Sequence, residues 1–137
     1  MSHWATALIG TPYAVGGQGP DAFDCWGFFR YVQEHYFARE LPEVGLVPAS
    51  IRAQVEEFER HPERHNWEQV DRPQEGDAVL MARRRMPAHI GVWIAANGTA
   101  GVLHCMDGPG VVFMTPAGLR AAGWGGLTYY RHHPCTP

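Results

Sequence analysis

Cys25 directly follows Asp24, where the Gly- and Pro-rich approach "GTPYAVGGQGP" gives way to the apolar run "FDCWGFFRYV". A thiol at a helix start has a chemical use. The partial positive charge there and a nearby imidazole both favour the thiolate, the form that attacks an acyl carbon. Two imidazoles, His89 and His104, bracket the dipeptide Asn97-Gly98. Asn-Gly is a strong signal for a two-residue type I′ hairpin, because both loop positions need positive φ. With those two residues as the loop, Ala96 faces Thr99, and counting outward sets His104 opposite Gly91, which shares a face with His89. The two histidines then project from one side of a sheet as diagonal neighbours, about 7 to 8 Å apart at the backbone. Gly91 between them leaves room for the rings. A three-residue loop without a bulge would put them on opposite faces.

These residue types make up a thiol nucleophile, its base and the group that orients the base. His89 would turn one ring nitrogen to the sulfur, and His104 would accept a hydrogen bond from the other and fix the tautomer. Asp24 supplies a capping carboxylate at the helix start, where the backbone N–H groups are donors for a developing oxyanion. Plainer readings stand beside this one. Free cysteine is among the most buried residue types, so Cys25 also fits an inert core thiol, and a strand histidine is commonly structural. A metal site is a further competitor, with ligand types in His104-Cys105, in His61 and His65 of "HPERH", and in His132, His133 and Cys135. Each has a fault: alternation sends Cys105 away from His104, Pro62 spoils a helical ligand pair, and no Cys-x-x-Cys spacing exists. Trp4, Trp26, Trp67, Trp93 and Trp124 read as core or rim packing, with Trp26 also placed to line a cleft beside the thiol.

The elements that must position these groups follow from periodicity. Residues 2–9 can form a short helix that the Gly/Pro cluster ends. Cys25, Phe28, Phe29, Val32 and Tyr36 recur at helical spacing, so the inward face of the next helix begins at the cysteine. "ASIRAQVEEFERH" reads as another amphipathic helix, and "HPERHNWEQVDRPQEGD" as mostly connection. Beyond Gly76 come "AVLMA", "IGVWIAA", "GVLHCM", "VVFM" and "LTYYRH", short runs rich in β-branched and aromatic residues with turn signals between them. "TPAGLRAAG" interrupts them with a helical turn or short helix, and "PCTP" is a tail. The expectation is one α+β domain over residues 1–137, N-terminal helices packed on an antiparallel C-terminal sheet of about five strands.

The length of 137 residues suits one domain, and a 45% apolar composition supplies its core. Eleven basic residues against fourteen acidic ones, scattered apart from Arg83–Arg85, give a net charge of -3 and no nucleic-acid footprint. Three widely spaced cysteines form no disulfide framework. "MSHWATALIG" lacks the basic start and apolar run of a signal peptide, and no stretch approaches the roughly 20 apolar residues of a membrane span. Synthesis in the cytoplasm is expected.

In sum the residues resemble the NlpC/P60 cysteine peptidases, whose minimal papain-like fold sets a helix-start Cys against a sheet carrying His. "GTPYAVGG" looks like that family's Pro-Tyr-x-x-Gly-Gly approach, and "FDCWGFFRYV" like its Asp-Cys-Ser-Gly helix. "PQEGDAVLM" is similar to its Gly-Asp strand opening, and "HIGVWI" to its His-Val-Gly-Ile-Tyr strand. The resemblance implies Cys25 as nucleophile, His89 as base, His104 as third polar residue and Tyr13 as a hydroxyl near the oxyanion. It implies a peptidoglycan stem peptide as substrate, commonly cut between D-glutamate and a diamino acid, and no cofactor. Trp26 departs from the usual serine, which with the preceding aspartate helps hold the stem peptide's amino end; Asp24 is retained. The Asp-Cys-Trp-Gly variant is similar to phage and prophage tail proteins of this family, which implies delivery to the wall in a tail tip alongside tail proteins. Two rivals share the fold: a tail structural subunit with little or no hydrolase activity, and an acyltransferase or amidase acting outside peptidoglycan.

Overall fold

The computed structural model describes residues 3–39, 67–83 and 86–132. A 3-10 helix over Trp4–Ala7 is capped by His3, whose Nδ1 accepts the Ala5 N–H at 3.1 Å. The loop that follows is laced to the segment before Cys25: the Ala14 N–H donates to the Phe23 carbonyl, and the Phe23 N–H to that of Pro12. Helix α1 then runs Cys25–Phe37, with Asp24 as its N-cap, the carboxylate accepting the Gly27 N–H at 2.6 Å. Its inward face is Cys25, Phe28, Phe29, Val32 and a buried Gln33 that donates to the Gly76 carbonyl. Tyr36 turns out instead and stacks on Trp4, 4.3 Å between ring centroids. The amphipathic helix expected over residues 49–61 lies outside the described residues, as does the "PCTP" tail.

The strands are β1 (Trp67–Val70), β2 (Ala78–Arg83), β3 (Met86–Ala96), β4 (Thr99–Met106), β5 (Gly110–Met114) and β6 (Gly126–His132), with helix α2 (Pro116–Ala121) before the last. They form one antiparallel sheet of six strands in the order β1-β6-β2-β3-β4-β5. The α+β layout expected from the sequence is the one observed. The sixth strand is "WEQV", read from sequence as connection. Only Trp67 is buried, Glu68 and Gln69 are exposed, and among the described residues the segment pairs with β6 alone, at the end of the strand order. One inward residue leaves no alternation to read.

Helix α1 covers one face of the sheet against β3 and β4, burying Ile90, Val92, Ile94, Leu103 and Cys105 with its own inward side chains. The opposite face carries a smaller cluster of Val79, Met81, Val102, Leu119 and Trp124. Arg131 ties β6 to the start of β2, its guanidinium 2.8 Å from the buried Asp77 carboxylate. Among the described residues no helix is long and apolar enough to cross a membrane.

The start of α1 is tightly seated. A Cβ at Gly27 would lie 2.0 Å from the Gly17 carbonyl oxygen and 2.9 Å from Asp24 Oδ1, so this position admits no side chain without moving the loop. At Gly118 in α2 the nearest atom is 3.4 Å away, an ordinary contact. Gly27→Ala is accordingly expected to destabilise the fold by about 2 kcal/mol in urea titration, overriding its gain in helix propensity. Gly118→Ala should be neutral or stabilising by up to about 1 kcal/mol.

Candidate active site

The β3–β4 hairpin turns at Asn97 (φ 53°) and Gly98 (φ 82°), and Ala96 pairs with Thr99. This is the register that sets His104 opposite Gly91, and it brings the two imidazoles together: His89 Nε2 lies 2.8 Å from His104 Nδ1, with the rings at 77°. Gly91 is required by the crowding there, since a Cβ would stand 3.0 Å from His104 Cβ and 2.9 Å from the Leu103 carbonyl oxygen. A bulge precedes the first histidine: Met81 pairs with His89 but Ala82 with Pro87, leaving one extra residue in β3. Bulges re-aim the side chains beside them. Pro87 was the signal for it in the sequence, because a proline inside a strand is confined to edges and bulges.

Alternation places the imidazoles and the thiol differently. Ile90, Val92, Leu103 and Cys105 share the α1 side with Cys25, so His89 and His104 emerge on the other face, where His89 stacks on Trp124. What joins the two sides is the plane of the sheet itself. The Trp93 N–H donates to the Asp77 carbonyl on the β2 side, so the N–H of Ile90, three residues earlier and of opposite parity, points toward β4. The paired residues of β3 and β4 end at Val92 and Leu103, and the next hydrogen-bonded rung would join Ile90 to Cys105. The Ile90 N–H donates to the Cys25 sulfur instead. The thiol thus occupies a missing rung at the mouth between β3 and β4, one residue from His89.

The surroundings are dry. Cys25 has no exposed surface, and burial pushes its thiol well above the usual range, with the Asp24 carboxylate adding to the shift. The Ile90 and Trp26 N–H groups pull the other way without prevailing. The thiolate-favouring helix start expected from sequence is therefore outweighed in this state, because desolvation penalises the anion more than two donors favour it. Asp24, 2% exposed, is occupied as the cap. Tyr13 is half-buried; burial and then the nearby Cys25, Asp24, Asp107 and Cys105 raise its hydroxyl, which remains a donor beside the thiol. Trp26 is 2% exposed and packs on Phe29 at 5.3 Å, so in this conformation it is core packing and presents almost no surface to a ligand. Cys105 faces away from His104 and donates to the Phe23 carbonyl at 3.4 Å. His61, His65, His133 and Cys135 lie outside the described residues.

The pattern of the NlpC/P60 family matches residues 10–118. The protein called Protein P54, from Enterococcus faecium, is 49% identical over 37 residues, 27% of this chain and 7% of that protein, so the match spans a small part of that relative's length. A crystal structure of the NlpC/p60 domain of the peptidoglycan hydrolase SagA superposes with a TM-score of 0.54 at 23% identity, covering 92% of this chain and 90% of that one. At that identity the likeness is one of fold.

His104 carries a testable electrostatic signature. It is fully buried, its Nε2 has no hydrogen-bond partner among the described residues, and burial holds it down to about 4 from an ordinary 6.5. The unfolded chain takes up that proton below 6.5 while the folded protein resists until about 4. The stability this neutral ring contributes is thus complete above 6.5, falls with pH through that window and is gone below about 4. A shift of that size is worth about 3 kcal/mol. Urea titrations at pH 7 and pH 4.5 should show a smaller loss of stability in His104→Gln than in the wild-type chain.

Proposed function

Because the chain belongs to the NlpC/P60 family, we propose that it is a cysteine peptidase or amidase that hydrolyses peptidoglycan stem peptides through Cys25, His89 and His104. The observation that carries this reading is the 2.8 Å bond between the two imidazoles, one residue along β3 from the backbone N–H that holds the thiol. With Nε2 of His89 engaged by His104, Nδ1 is the ring nitrogen that exchanges a proton with sulfur. The raised thiol means that Cys25 surrenders its proton during attack on the amide carbonyl instead of resting as a thiolate. The imidazolium so formed protonates the leaving amine. N–H groups at the start of α1 and the Tyr13 hydroxyl stabilise the oxyanion, and water, deprotonated by His89, releases the acyl group.

The bond between D-glutamate and a diamino acid is the proposed point of cleavage. Trp26 replaces the serine of the family's motif and is packed in the core, so the peptide's amino end is held by other groups here. The motif Asp24-Cys25-Trp26-Gly27 supports action as part of a phage tail tip, with tail proteins as partners.

A second reading, a tail subunit that keeps the fold with little or no hydrolase activity, is favoured by one observation: Cys25 is entirely covered in this conformation. Digestion of purified peptidoglycan separates the two. The hydrolase reading expects wild-type chain to release stem-peptide fragments and Cys25→Ala, still folded, to lose at least about 1000-fold in rate. Full activity in that variant would rule out the thiol mechanism, and a wild-type chain that releases nothing even with its tail partners would favour the structural subunit.

A further inference from the structure

Trp124 sits 35 residues along the chain from His89, yet its indole lies face to face with that imidazole, 5.3 Å between centroids at 19°. Its placement is built with unusual care for so short a helix. Thr115 caps α2 by accepting the Gly118 N–H at 3.1 Å, and Pro116 opens the first turn. At the other end Gly123 adopts a φ of 98°, its N–H donating to the Arg120 carbonyl and the Trp124 N–H to that of Leu119. This pair of bonds is a Schellman motif with Trp124 as the residue beyond the left-handed glycine. The hydrophobic contact that completes such motifs is present, since Leu119 and Trp124 share the second cluster beneath β2 and β4. A six-residue helix has little stability of its own, so what α2 delivers is a fixed end point for one side chain.

The ring of His89 is thereby held on two sides, edge-on by His104 and face-on by Trp124. We infer that Trp124 is a positioning residue: its indole face fixes the plane of the His89 ring, so that Nε2 stays on His104 and Nδ1 is left for the proton exchange that the hydrolase reading gives it. With 6% of its surface exposed, Trp124 is too covered to act by binding substrate. It also keeps water from the bond between the imidazoles, and the negative face of an indole tolerates the imidazolium that acyl transfer creates. Losing this restraint leaves both ring nitrogens free to exchange partners, which lowers the fraction of molecules poised for proton transfer and leaves substrate binding alone.

The inference rests on the hydrolase reading for its kinetic arm and on spectroscopy for an arm that needs no turnover. Trp124→Leu retains apolar bulk without a planar face, and Trp124→Phe restores the face. In stem-peptide hydrolysis, Trp124→Leu should lower kcat by ~10-fold or more with KM within ~2-fold of wild type, and Trp124→Phe should recover most of the loss. Ring 15N shifts of labelled His89 should report one Nε2–H tautomer in the wild-type chain and in Trp124→Phe, and a mixture in Trp124→Leu. Should Trp124→Leu fail to fold, Trp124→Met takes its place in both arms. Unchanged kcat and tautomer in the non-aromatic variant, or a raised KM at unchanged kcat, would overturn the inference. A wild-type chain that turns over no stem peptide would sink the hydrolase reading, and the tautomer comparison would still decide the role of Trp124.

Discussion

The arrangement depends on one hydrogen bond that is not part of the sheet. Where β3 and β4 stop pairing, the Ile90 N–H donates to the Cys25 sulfur, and the first turn of α1 stands in for a rung of the ladder. A sheet that continued its pairing there would leave the thiol no entry. A bulge in the β2–β3 pairing precedes His89, and the crowded start of α1 requires glycine at position 27 so that the approach loop can pass at contact distance. Asp24 then satisfies the Gly27 N–H, and the Trp26 N–H of the same turn donates to the sulfur. Position, capping and strand geometry are thus parts of a single constraint.

The same seating sets the electrostatics. A site closed enough to hold the thiol against a strand N–H is dry, and dryness disfavours every charged form within it. Cys25 is held protonated and His104 neutral for the same reason. A neutral His104 can accept from His89, whereas a protonated one would repel the imidazolium that proton transfer creates. The cost is a thiol with no standing charge, and the hydrolysis proposed for this site would have to take its proton at the moment of attack.

Much of this is legible in the sequence. Helical spacing from Cys25 and the Asn97-Gly98 turn each follow from local periodicity, and the hairpin count that put His104 opposite Gly91 has the observed register, with His104 Cβ against Gly91. Other features depend on contacts that no local pattern encodes. "WEQV" is a strand because β6 offers it an edge, not because its residues alternate. The missing rung at Ile90 is a property of two strands and a helix together, and the burial that raises the thiol is a sum over all of them. Trp124 read as packing because its partner is a distant strand residue, although Gly123 ahead of it marks where the helix must stop. Pro87 carried a local warning of the bulge, and its strand was expected to begin only at Ile90.

The central claim is that Cys25 becomes covalently acylated with His89 as its base. Acid-quenched mass spectrometry of the protein during digestion of a purified stem peptide tests it directly, with His89→Ala run in parallel. The account predicts a peptide containing Cys25 that carries the acyl half of the substrate, formed rapidly in the wild-type chain and hardly at all in His89→Ala. Product release with Cys25 unmodified throughout, or equal acylation in both proteins, would contradict it.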